Sequence, residues 1–336
     1  MTDHRTHHRK GRGALSNPDG RFESVQHVAF DDDHSCDESG PATTLTADHA
    51  KSIIARNQSP DVPFELSINP YRGCEHGCVY CFARPSHEYL GLSCGLDFET
   101  RLFHKPHAAT LLRNELSARG YRCQPIALGI NTDAYQPSER KLGITRELLG
   151  VMREFNQPVN IVTKSALVER DIDILADMAE RNLVHVILSV TTLDKELARL
   201  MEPRATAPPR RLAAIRALAD AGIPVGVLCA PLIPALNEPE MEALLAAAAD
   251  HGAESAGYVI LRLPHGIKDL FRDWLTQHYP LKAKHVMSIV QSLHGGKDYD
   301  AQWGQRMRGR GPYADLIAKR FAAQCRKLAL NDLHER

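Results

Sequence analysis

No stretch of this 336-residue chain approaches the roughly 18 consecutive apolar residues that a membrane-spanning helix needs. Net charge is lacking as well. The 41 Lys and Arg balance the 41 Asp and Glu, which argues against a globally basic nucleic-acid binder. Met1 to Lys10 is polar and rich in His and Arg, without the apolar core of a secretory signal, so the expected location is the cytoplasm. Internal repeats are missing, and the eight cysteines are not spread as a disulfide framework would spread them over a small secreted fold. What remains, with 43% hydrophobic and 24% charged residues, is the composition of an ordinary globular protein. Its length suits one large α/β domain with extensions, or two small domains. A local bias survives between residues 281 and 336, where 11 Lys and Arg face 5 Asp and Glu. Such an excess can meet phosphates, although a solvated helix face is the plainer reading.

Residues 1–60 form a separate regime. They hold six of the 17 histidines, the run Asp31–Asp33 and frequent Gly, Pro, Ser and Thr. Little apolar periodicity is available there for a core, so a mostly flexible segment is expected. His4, His7 and His8 read as a solvated tail, while Gly11 to Glu23, GRGALSNPDGRFE, has the turn chemistry of a piece that packs on the main domain. Between residues 61 and 265, short apolar runs alternate with amphipathic stretches. Candidate strands are Phe64–Ile68, Ile126–Ile130, Val159–Thr163, Val184–Val190, Val225–Ala230 and Tyr258–Leu261. Leu148, Leu149, Met152 and Phe155 mark one helix behind a Thr145 N-cap; Ile172, Leu175 and Met178 mark a second. Leu212, Ile215 and Leu218 mark a third, stopped by Gly222, and Pro239–Asp250 is an Ala-rich fourth. Strands alternating with helices argue for βαβ units and a parallel sheet. Six units are too few for a closed eight-stranded barrel and enough for an open, partial one. Residues 266–336 read as a helical C-terminal extension. In parallel α/β folds reactive groups collect at the C-terminal ends of strands, so residues just after each strand are site candidates.

The most informative segment follows the first strand: Ile68 to Arg84, INPYRGCEHGCVYCFAR. It places Cys74, Cys78 and Cys81 within eight residues. Clustered thiolates are soft ligands suited to iron–sulfur clusters or zinc. Three cysteines on a four-iron cubane leave one iron free to bind a further molecule. The competing zinc reading needs His76 as a fourth ligand, although structural zinc sites usually pair two C-x-x-C half-sites across a spacer, and Cys94 stands alone. Gly73 and Gly77 let the loop curl tightly.

The wording Cys74-x-x-x-Cys78-Val79-Tyr80-Cys81 resembles the signature of the radical S-adenosylmethionine superfamily, which folds as a partial (β/α)6 TIM-type barrel. NPYRGCEHGCVYCFAR is similar to the branch related to spore photoproduct lyase, often labelled DNA-repair photolyase-like. The continuation HEYLGLSCGLDFETRLFHK resembles an uncharacterised subgroup of it. The likeness spans roughly residues 10–330 and is most specific in the cysteine loop.

The resemblance implies a [4Fe–4S] cluster on Cys74, Cys78 and Cys81, with S-adenosylmethionine bound at the open iron. Reductive cleavage would then release a 5′-deoxyadenosyl radical that abstracts hydrogen from a substrate. It also implies a low-potential electron donor such as a flavodoxin or ferredoxin. Iron–sulfur potentials extend down to about −700 mV, the range such a cleavage requires. Tyr80 is expected near the adenine. Asn131, Thr132 and Asp133, after the second strand, suit the methionine ammonium, with Lys164, Ser165 and Ser189 following the third and fourth strands. Arg204 offers a guanidinium for the methionine carboxylate. Spore photoproduct lyases are expected to carry a hydrogen-donating cysteine at the end of the second strand. Here that stretch reads Gly129-Ile130-Asn131-Thr132-Asp133, which speaks against thymine-dimer repair. The substrate is left open. The alternatives are a non-catalytic iron–sulfur or zinc protein that binds nucleic acid, and a radical enzyme that acts on nucleic acid.

Overall fold

The computed structural model describes residues 9–22 and 42–332. His4, His7, His8, Asp31–Asp33 and Cys36 lie outside them. Ten strands occur among the described residues: β1 Thr44–Ala47, β2 Ile54–Arg56, β3 Leu66–Ile68, β4 Tyr71–Arg72, β5 Arg101–His104, β6 Ile126–Leu128, β7 Val159–Thr163, β8 Val184–Ser189, β9 Val225–Leu232 and β10 Ser255–Ile260. The main sheet has the order β10-β9-β8-β7-β6-β3-β2. From β3 to β10 every pairing is parallel, with Leu66 opposite Ile126, Ile126 opposite Val159 and Val159 opposite Val184. The six strands read from apolar runs are therefore the six parallel strands of this sheet, shorter or longer by a few residues.

Helices Ala108–Leu116, Ile144–Glu154, Ile172–Ala179, Pro208–Asp220 and Met241–Asp250 return the chain between successive parallel strands. Their apolar stripes, Leu148 with Met152, Leu175 with Met178, Ile215 with Leu218, and Leu244 with Leu245, are buried in one core with Ile161, Val186 and Val227 of the sheet. A parallel strand must cover both faces, and the helix stripes supply one of the covers. The helix predicted behind a Thr145 cap begins two residues earlier, with Gly143 as its cap. Gly143 takes the left-handed conformation there (φ 66°), and the Thr145 hydroxyl donates back to the Ala134 carbonyl at 2.6 Å.

Four strands, β1, β2, β4 and β5, were not legible in the sequence. β2 adds an antiparallel edge beside β3, and β1 joins β5 and β4 in a small separate sheet. Helices Ile267–His278, Pro280–Leu293 and Pro312–Lys327 follow β10 in the chain. The last of them packs Phe321 on Tyr258 of β10, with ring centroids 4.7 Å apart. None of the described helices is long and apolar enough to cross a membrane.

Candidate metal centre

The cysteine loop leaves the C-terminal end of β3 through the short β4 and is pinned at several points. The Cys74 amide donates to the Phe98 carbonyl at 2.9 Å, Val79 to Met201 at 3.1 Å, and Cys81 to Cys78 at 3.2 Å. Gln136 clasps the loop from both sides, accepting from the Glu75 amide at 2.9 Å and donating to the Gly73 carbonyl at 3.2 Å. Gly73 sits at φ 76°, and a Cβ there would meet Leu102, His87 and the Phe98 carbonyl within 2.9 Å. A side chain at this position is excluded both by conformation and by space.

Cys74, Cys78 and Cys81 are unpaired and close enough to act on one another electrostatically. Burial pushes all three thiols up, and for Cys74 the Asp133 carboxylate and the other two thiols add to the rise. A thiol in such surroundings loses its proton when a metal takes the proton's place, and soft thiolates suit an iron cluster. Among the described residues, no three His, Cys, Asp or Glu side chains gather tightly enough to hold a single metal ion. A four-iron cubane, by contrast, spaces its ligands across several metal atoms. His76, the fourth donor a zinc site would need, turns Nδ1 to Asp133 Oδ2 at 3.3 Å instead.

The residues proposed around the loop fall into three groups. Tyr80, Lys164 and Ser189 come together. The Lys164 ammonium donates to Ser189 Oγ at 2.6 Å, Thr191 Oγ1 at 3.3 Å and the Ala230 carbonyl at 3.2 Å, and lies 5.7 Å from the centre of the Tyr80 ring. Asp133 takes a linking position between strands: it accepts from Thr163 Oγ1 and the Lys164 amide, each at 2.7 Å, and faces His76. Burial opposes ionisation of Asp133, but His76 and these donors outweigh it and hold the carboxyl below its ordinary value. The others are occupied or turned elsewhere. Thr132 donates to the Tyr71 carbonyl at 2.9 Å, and Ser165 caps the turn Ala166–Asp171 by accepting from Leu167. Asn131 is exposed, its amide held by Asn69, and Arg204 pairs with Glu75 at 2.9 Å.

Sequence reasoning missed the hub of this site. Glu202 is fully buried and receives the Tyr80 hydroxyl, the Thr191 hydroxyl and the Arg211 guanidinium, with Lys164 Nζ at 3.3 Å. Burial would raise its carboxyl, yet Arg211 and Lys164 outweigh burial and keep it ionised well below the carboxylate range. The available signal was Glu202-Pro203-Arg204, where attention fell on the arginine. Cys123 is exposed before β6, with Sγ facing Gln157, and Cys229 is buried within β9; neither stands at the end of β6.

The sequence model of the Radical SAM superfamily matches residues 68–248, more than half of the chain. An uncharacterised protein of Mycobacterium tuberculosis is 36% identical over 271 residues, spanning 79% of this chain and 78% of its own. An uncharacterised protein of Methanocaldococcus jannaschii is 27% identical over 173 residues, 52% of this chain and 62% of its own. Among solved structures, spore photoproduct lyase complexed with dinucleoside spore photoproduct superposes with a TM-score of 0.61, covering 84% of this chain and 79% of that one at 15% identity. A variant of that lyase with bound AdoMet and the same dinucleoside gives 0.58 at 15% identity, with the same coverage. At such identities the structural likeness is one of fold.

Proposed function

This chain belongs to the radical SAM superfamily, and from that premise we propose that Cys74, Cys78 and Cys81 hold a [4Fe–4S] cluster whose open iron takes S-adenosylmethionine. When bound, the cluster and S-adenosylmethionine together supply an electron and a 5′-deoxyadenosyl radical for hydrogen abstraction from a substrate. The observation that carries the reading is the convergence of two buried thiols, Cys74 and Cys78, and the half-buried Cys81 beside the polar ends of β6, β7 and β8. Within it, each side chain has a task. Tyr80 walls the adenine side, its ring held by the bond from its hydroxyl to Glu202. Lys164 presents a cation for the methionine carboxylate, and Ser189 and Asp133 orient Lys164 and its backbone. Arg204 is a second cation for that carboxylate once it leaves Glu75. Asn131, exposed at the rim, is left free to meet the methionine ammonium, while Thr132 and Ser165 brace the strand ends through their bonds to Tyr71 and Leu167.

The electron comes from a low-potential flavodoxin or ferredoxin. The substrate is unassigned, with nucleic acid as one candidate. The stretch Gly129–Asp133 argues against thymine-dimer lyase chemistry, because it offers no thiol for hydrogen return. Anaerobic reconstitution should load iron and sulfide in a four-to-one ratio with the protein, and dithionite should then release 5′-deoxyadenosine. Equal release by Cys78→Ala protein would overturn the proposal.

A further inference from the structure

The segment 9–22 crosses directly over the cysteine loop. The Gly13 and Ala14 amides donate to the two oxygens of Glu99 at 3.1 and 2.8 Å, and Arg12 Nη1 donates to the Glu99 carbonyl at 3.0 Å. Glu99 is fully buried and ion-paired with Arg84, itself fully buried. Arg84 carries the contact into the loop, donating from Nε to the Cys78 carbonyl at 2.9 Å and from Nη1 to the Cys94 and Gly95 carbonyls at 3.1 and 2.8 Å. The segment also touches the loop directly. A Cβ on Gly13 would stand 1.8 Å from the Gly77 carbonyl oxygen, between Cys74 and Cys78, and 3.3 Å from the Val79 amide. Leu15 is buried in one apolar group with Cys78, Val79 and Tyr80.

We propose that residues Arg12–Leu15 are a positioning strap for the cysteine loop. The inference rests on the reading that this loop is the cluster-binding element. Two strap amides and the Arg84 guanidinium share one buried carboxylate, so the position of Cys78 depends on a segment 60 residues or more away in the chain. A buried carboxylate that loses two of its donors is poorly compensated, and the loop it anchors then opens more readily. The strap therefore holds the three thiols in a cluster-ready arrangement before iron arrives, and covers one side of the site afterwards.

The test compares wild type with Gly13→Ala and Gly13→Val, using Gly120→Ala as control, because a Cβ at Gly120 meets nothing within 4 Å. The first readout is the alkylation rate of each cysteine in the metal-free protein, measured by mass spectrometry. Cys229, buried in β9, reports on the fold as a whole. Overpacking against a backbone carbonyl should make Cys74, Cys78 and Cys81 about tenfold more reactive in Gly13→Val, with a smaller rise in Gly13→Ala and none at Cys229 or in the control. The second readout is iron loss from reconstituted protein to a chelator, expected to quicken in the same order. Unchanged loop thiols, or a parallel rise at Cys229, would overturn the strap. Wild type that takes up no iron, with the thiol contrast intact, would instead overturn the cluster reading and leave the strap standing.

Discussion

Glu202 and Arg211 form an ion pair in which neither side chain reaches solvent, directly behind Tyr80. Arg211 also donates to the Ser189 carbonyl at 2.9 Å and to the Thr206 carbonyl at 2.6 Å, so it ties β8 to the segment leading into helix Pro208–Asp220. The pair therefore anchors the polar side of the site to two elements at once.

Replacing Arg211 by Met leaves Glu202 buried with Lys164 as its remaining cation. Breaking one side of such a pair costs about 3–5 kcal/mol, so the unfolding midpoint in urea should fall sharply. A midpoint within error of wild type would show that Lys164 alone compensates the carboxylate.

Lys164 faces both Glu202 and the strand-end hydroxyls, with its ammonium partly open to solvent. The Lys164→Met protein should keep its three thiols and load iron normally. Losing one charge-assisted contact of about 1.5–3 kcal/mol should weaken S-adenosylmethionine binding to the reconstituted protein by about tenfold or more. Calorimetric titration measures the affinity, and unaltered binding would remove Lys164 from the carboxylate site.

Burial lowers the pKa of three histidines, His87, His185 and His294, below the ordinary imidazole value. Each remains neutral in the folded chain at a pH where the unfolded chain binds a proton. Stability is therefore intact above about pH 6.5 and falls as pH drops from there towards the folded pKa values. The thermal midpoint should decline between about pH 7 and 5.5, and His185→Gln should flatten part of that slope. His185 suits the test because, among the described residues, its ring bonds only to Ser255 Oγ, at 3.1 Å, well away from the cysteine loop in sequence. A slope equal to wild type in that variant would count against the buried imidazole as its source.

The parallel strands were readable because each announces itself within a few residues. Val159–Thr163 appears with the same bounds in sequence and structure, and the stripes of Leu148 with Met152 and of Ile215 with Leu218 lie on the covered faces of their helices. β1 and β2 were hidden for the opposite reason. Their residues Thr44–Ala47 are exposed, and Ile54–Arg56 is three residues long, so neither carries an apolar signature; pairing with β5 and β3 makes them strands.

The sequence by itself determined the three thiols, their spacing and their place after the first parallel strand, since all of these are properties of neighbours in the chain. Tertiary structure alone decided what surrounds them. Tyr80 and Glu202 are 122 residues apart, and Glu99 and Gly13 are 86 apart. Nothing local in Arg204 or Glu202 says that the first pairs with Glu75 and the second gathers Tyr80, Lys164 and Arg211. Periodicity sorts apolar from polar positions, but a buried charge chooses its partner by which strand ends the topology brings side by side, and that choice is made only when the sheet closes.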